Sequence, residues 1–170
     1  MKANRGIWTT GIPSKAELEA SPGYPSKEVL AQGPLVVIEC VQDIPCNPCE
    51  LACPNGAIVV GDPITHLPVF DAAKCNACGQ CIPICPGQAI FRVDLHYDAD
   101  RATVSFPYEF LPLPNKADSV EGVNRAGEVV CEADVVRVQR LASYDRTAVI
   151  TVAVPRALAM EVRSMKRLSR

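Results

Sequence analysis

Eight of the nine cysteines lie between positions 40 and 85, and they form a repeat. Sliding the chain over itself by 32 positions places Cys46, Cys49 and Cys53 on Cys78, Cys81 and Cys85. Pro54 then falls on Pro86, Ala57 on Ala89 and Ile58 on Ile90. A self-match at a fixed period marks two copies of one small structural unit. The second copy is unbroken: Cys75-Asn-Ala-Cys78-Gly-Gln-Cys81-Ile-Pro-Ile-Cys85-Pro86, or C-x2-C-x2-C-x3-C-P. Thiols this concentrated are not scattered core residues. The opening Met1-Lys2-Ala3-Asn4-Arg5-Gly6 lacks the apolar stretch of a secretory signal. A cytoplasmic, reducing location is therefore expected, where metal ligation is a better default than disulfides.

The spacing has a physical cause. Thiolates that hold a compact inorganic cluster must converge on several of its corners. Three cysteines at three-residue intervals do this when the loop curls around the cluster and aims backbone N–H groups at the sulfurs. The fourth lies beyond a short helical turn and points away, and the proline after it ends that turn. Zinc is the rival metal, since C-x2-C pairs also hold Zn²⁺. Zinc leaves the third cysteine and the Cys-Pro endings unexplained.

Residues 35–93 resemble the bacterial ferredoxins that carry two [4Fe–4S] clusters, on the strength of this run and its repeat. The resemblance implies that Cys75, Cys78 and Cys81 share one cluster with Cys53, while Cys46, Cys49 and Cys85 supply three ligands to the other. The first copy departs from the family pattern, because the position equivalent to Cys75 is Asp43, with Cys40 three residues upstream. Three alternatives are open: Cys40 replaces the missing ligand, Asp43 binds through a carboxylate oxygen, or the corner iron is absent and the cluster is [3Fe–4S]. Thiolate is the softer iron ligand, which favours Cys40. Cys131 stands alone in a strand-like alternation and reads as a small core residue.

The rest of the chain divides by character. Residues 1–34 carry Gly11, Pro13, Pro22, Gly23, Pro25, Gly33 and Pro34 and read as an extended N-terminal arm, either loose or wrapped on a partner. Ser14 with Glu17 forms a capping-box pattern for one short helix, and Ser26 caps another through Leu30. Residues 35–95 are the two-cluster unit, entered by a strand at 34–40, with further strands at 57–60 and 89–95 and residues 69–71 leading into the second loop. Residues 96–170 alternate in β fashion over 102–106, carry two β-rich stretches over 128–138 and offer another strand at 147–154, with turn residues between. They are expected to form a small, barrel-like β domain for docking, closed by a C-terminal helix opened by Pro155. Leu158, Val162 and Met165 would share one face of that helix, and its cations, Arg163 among them, would favour the dipole. The expected class is α+β.

Function follows from the clusters. Lys and Arg total 17 against 19 acids, so no nucleic-acid surface is indicated, and no apolar run approaches the ~18–20 residues of a membrane span. There is no phosphate loop, dinucleotide fingerprint or Ser/His/Asp set, so no catalytic site of the chain's own is expected. Free ferredoxins are typically small and strongly acidic, whereas this chain is nearly neutral with much of its length outside the cluster unit. Both features favour a fixed subunit. The stretch from Pro34 to Pro54, with looser support from Phe110-Leu-Pro-Leu-Pro114 and Asn124-Arg-Ala-Gly127, resembles the iron–sulfur subunits of bacterial FAD-dependent amino-acid and amine dehydrogenases. That implies a flavoprotein partner in a hetero-oligomer, with the clusters relaying single electrons. The alternatives are a subunit or carrier for another oxidoreductase, and a sensor or binding protein.

Overall fold

The structure is a computed structural model that describes residues 6–169. Arg170 and the opening residues 1–5 therefore lie outside the described residues.

The cysteine repeat folds as a repeat. Strand β1 (Leu35–Ile38) leads into the first loop, which carries helix α4 (Pro48–Ala52) and leaves as β2 (Ile58–Val59). Strand β3 (Val69–Phe70) leads into the second loop, with α5 (Cys81–Ile84), and leaves as β4 (Ile90–Asp94). The exit strands pair antiparallel with the strands that lead in: Ile38 opposes Ile90, and Phe70 opposes Ile58. These two rungs interconvert under the 32-residue offset. So do two backbone bonds, Glu39 N–H to Ala89 O and Asp71 N–H to Ala57 O, both 2.8 Å. Equal sequence spacing has produced a pseudo-two-fold unit.

Beyond it, β5 (Arg101–Tyr108), β6 (Ser119–Val123), β7 (Val129–Gln139), β8 (Ala148–Pro155) and β9 (Ser164–Met165) join β1 and β4 in one antiparallel sheet, ordered β1-β4-β5-β8-β7-β6-β9. The β segment expected as a small barrel after residue 95 thus shares its backbone ladder with two strands of the cluster unit. Alternation assigns the faces. Val37, Phe91, Val104, Phe106, Ile150 and Val152 fill the main core, while Val36, Ile38, Ile90 and Val149 turn to the other face against Ile58 and Ile82 of the cluster loops. Central strand β5 is buried on both faces, so Thr103 and Ser105 are buried polar residues although their alternation reads as half-exposed.

Two expectations are corrected. The helix after Pro155 is a 3-10 turn over Arg156–Leu158 followed by β9, which pairs with β6 through Gly122 and Val123. An open strand edge at β6 offers backbone partners that a helix would leave unused: Arg163 N–H bonds Val123 O at 2.9 Å and Lys166 N–H bonds Glu121 O at 2.8 Å. Val162 and Met165 are buried as the apolar spacing suggested, but in the extended segment that forms β9. Arg163, read as a cation near a helix terminus, is instead buried in an ion pair.

The arm packs on its own chain. Three short helices, α1 (Ile7–Thr10), α2 (Lys15–Ala20) and α3 (Lys27–Leu30), carry the Ser14–Glu17 capping box and the Ser26 cap. Leu18 and Leu30 are buried, and the Ser21 hydroxyl donates to Cys40 O at 2.9 Å. A side chain at Gly23 would sit 2.9 Å from Pro68 O and 3.0 Å from Ile38 Cβ, so the close backbone approach requires glycine there.

Candidate iron–sulfur site

The loops bring the eight clustered cysteines into two groups that cut across the repeat. Burial pushes the Cys49 thiol up to about 11, and the neighbouring thiols of Cys85, Cys46 and Cys40 push in the same direction. The Cys40 thiol is raised by burial, then by Cys85 and Cys46, with Asp43 also close enough to contribute. Burial likewise raises Cys81 far above an ordinary thiol, with Cys75, Cys78 and Cys53 adding to it. One group is therefore Cys40, Cys46, Cys49 and Cys85, and the other is Cys53, Cys75, Cys78 and Cys81. The second group lines a single cavity together with Gly79 and Ile58.

Local structure explains the exchange of Cys53 and Cys85. Each caps a one-turn helix in an extended conformation, Cys53 at φ −84°, ψ 106° and Cys85 at φ −73°, ψ 111°. Each sulfur accepts the N–H four residues on, from Ala57 at 3.2 Å and from Ala89 at 3.4 Å. Ala77 N–H donates to Cys75 Sγ at 3.4 Å. Ala77 and Gly79 both adopt positive φ, 55° and 76°, which bends the second loop tightly between its cysteines.

The donor set fits an iron–sulfur cluster. Both groups are all-cysteine, whose thiolates suit iron and sulfide, and backbone N–H groups already point at three sulfurs. Ligands of one ion converge on a point, whereas ligands of a cluster address separate corners of a larger body. Among the described residues, no three His, Cys, Asp or Glu side chains are tight enough for a single ion. Cysteines that ligate must lose their protons to do so.

The remaining cysteine is placed as expected. Cys131 lies on β7 opposite Gly122 and packs against the main core, apart from both groups. Replacing it with alanine should leave iron and acid-labile sulfide per chain equal to the parent. A loss of iron in that variant would assign Cys131 a ligand role.

Sequence reasoning missed a buried charge cluster beside the first group. Glu39, next to Cys40, bonds both Arg125 and Arg163. A carboxylate at the end of the fully buried run Leu35–Ile38 was the available signal, but its partners lie 86 and 124 residues away.

Comparisons with known proteins agree with the donor chemistry. Residues 67–90 match the family model described as a 4Fe-4S binding domain. The chain is 49% identical over 47 residues to one component of the ion-translocating oxidoreductase complex of Methanosarcina acetivorans, covering 28% of this chain and 17% of that protein. It is 45% identical over 38 residues to one component of the Na(+)-translocating ferredoxin:NAD(+) oxidoreductase complex of Acetobacterium woodii, covering 22% of this chain and 11% of that one. The chain thus spans less than a fifth of either component. It is 39% identical over 51 residues to Ferredoxin-1 of Chlorobaculum tepidum, covering 26% of this chain and 77% of the ferredoxin. No solved structure matches the chain. With most of a ferredoxin aligned to its cysteine-rich segment, the chain belongs, through that segment, to the 4Fe-4S ferredoxin family.

Proposed function

We propose that the chain is an electron-transfer subunit with two [4Fe–4S] clusters, one on Cys40, Cys46, Cys49 and Cys85, the other on Cys53, Cys75, Cys78 and Cys81. The observation that carries this reading is the exchange of Cys53 and Cys85 between the two halves of the repeat, the arrangement that the C-x2-C-x2-C-x3-C-P spacing implies in two-cluster ferredoxins. When bound, such clusters accept and release one electron at a time. The chain's own residues hold them, donate N–H groups to their sulfur ligands and exclude water with Ile58, Ile82 and Ile90.

A flavin-dependent amino-acid or amine dehydrogenase is the partner that the likeness around Pro34 to Pro54 supports. A second reading, membership of another oxidoreductase complex, draws on the matches to components of the two ion-translocating complexes. Among the described residues no helix is long and apolar enough to cross a membrane.

Two measurements test the proposal. Anaerobically purified chain should contain about eight iron and eight sulfide per molecule. About four of each would sink the two-cluster reading, and about seven iron would place a three-iron cluster on the first group. Purification of the complex from the native host should bring down a protein with bound flavin. A flavin-free partner that accepts electrons from this chain favours the second reading.

A further inference from the structure

The sheet face turned toward the cluster loops carries a polar row. Arg92 opposes Ser105, Ser105 opposes Thr151, and Thr151 opposes Arg137, so one rung across β4, β5, β8 and β7 reads Arg-Ser-Thr-Arg. Directly opposed side chains on neighbouring strands stand about 4.5–5.5 Å apart at Cβ. The irregularity in β7 between Val135 and Arg137 sets this register. The two central hydroxyls are buried and bonded to each other at 2.8 Å. The row opens into a cavity whose far wall is Ala77, Cys78, Gly79 and Ile82. Two guanidinium side chains therefore share a cavity with Cys78, the exposed member of its group. Arg92 has only a long 3.9 Å contact to Asp94, and Arg137 forms no ion pair among the described residues.

The other group has an acid close by, Asp43 beside Cys40. Lys74 pairs with Asp71 at 3.1 Å, so those two cancel. The repeat position equivalent to Arg92 is Val60, which is buried and neutral. Near Cys40, Arg125 and Arg163 are offset by Glu39 and Glu161, two charges against two.

We propose that Arg92 and Arg137 raise the reduction potential of the site on Cys53, Cys75, Cys78 and Cys81 above that of the site on Cys40, Cys46, Cys49 and Cys85. A positive charge beside a centre that gains an electron stabilises the reduced form. An electron exchanged within the chain then rests at the Cys78 side: one site loses one electron, the other gains it, and no bond or proton moves. The second group is thereby the exit side of the relay. This inference rests on the two-cluster reading.

The test is a redox titration of the anaerobic, full-length, cluster-loaded chain followed by EPR. The parent should show two one-electron waves, and Cys78→Ser should alter the higher one. Arg92→Gln and Arg137→Gln should each move the higher wave to lower potential, the double variant further, with the lower wave and the iron content unchanged. Arg137→Lys should restore the parent value, and Lys27→Gln, on the arm, should move neither wave. Added salt should shrink the Arg137→Gln shift, because that residue is exposed. An unmoved higher wave in the double variant, or a Cys78→Ser effect on the lower wave, overturns the inference while leaving two clusters in place. A single wave with about four iron in the parent overturns the two-cluster reading itself.

Discussion

Replacing Glu39 with glutamine is expected to destabilise the protein by about 3–5 kcal/mol, because it leaves the buried Arg163 without its counter-charge. Glu39 is 7% exposed, Arg163 5%. Arg125 grips the carboxylate with two donors, Nε to Oε2 at 2.7 Å and Nη2 to Oε1 at 2.5 Å, and Arg163 Nε reaches Oε1 at 2.7 Å. Further guanidinium donors are also satisfied. Arg163 Nη1 bonds Ala159 O at 3.0 Å and Val162 O at 2.6 Å, and Arg125 Nη2 also reaches Met160 O at 2.8 Å. The Arg163 guanidinium lies 4.9 Å from the centre of the Phe91 ring. Burial pulls its pKa below the ordinary value, and Glu39 opposes that pull. Arg163→Met should cost less than Glu39→Gln, because it leaves Glu39 paired with Arg125. Urea unfolding of the anaerobic chain ranks the two. A Glu39→Gln loss below about 1 kcal/mol, the scale of an exposed pair, would show the triad to be solvated. The same substitution should speed loss of the first cluster, since Glu39 adjoins Cys40 and joins it to strands from the far half of the chain.

The charge cluster marks the limit of what one sequence discloses. The cysteine repeat was legible because it is local: a fixed offset, short strands before and after each loop, and a helical turn ending at each Cys-Pro. The Ser14 and Ser26 caps were legible for the same reason. The C-terminal segment misled because Leu158, Val162 and Met165 have helical spacing, while the decisive fact, an unpaired edge on β6, lies some forty residues earlier in the chain. Ser105 stands in an alternating stretch and Thr151 in a strand candidate, and both are buried. Their burial comes from the cluster loops covering the second face of the sheet, a packing event that no strand pattern encodes. Glu39, Arg125 and Arg163 meet only because the curled sheet brings its two ends together, with β1 and β9 at opposite ends of the strand order.

Alanine at Cys53 or Cys85 should damage the site opposite to the motif in which each is written. If the motifs were independent, Cys85→Ala would impair the site of Cys75, Cys78 and Cys81. The exchanged grouping predicts the reverse. Cys85→Ala should behave like Cys46→Ala, and Cys53→Ala like Cys78→Ala, each lowering iron from about eight to about seven where only the corner iron is lost, or to about four where the cluster disassembles, and altering one of two EPR-detected waves. The effect is large because a cluster short of one thiolate corner exposes iron to water and oxygen, and no spare cysteine lies in reach: Cys131 packs into the core from β7. The fourth corner of the first site separates in the same experiment. Cys40→Ser should reproduce the Cys46→Ala phenotype, whereas Asp43→Asn should retain full iron. A normal Cys40→Ser protein together with an iron-poor Asp43→Asn protein would transfer that corner to the carboxylate. If Cys85→Ala instead paired with Cys78→Ala, the exchange between repeats would be refuted. Each site would then be built from its own loop alone, with no cysteine exchanged between the two.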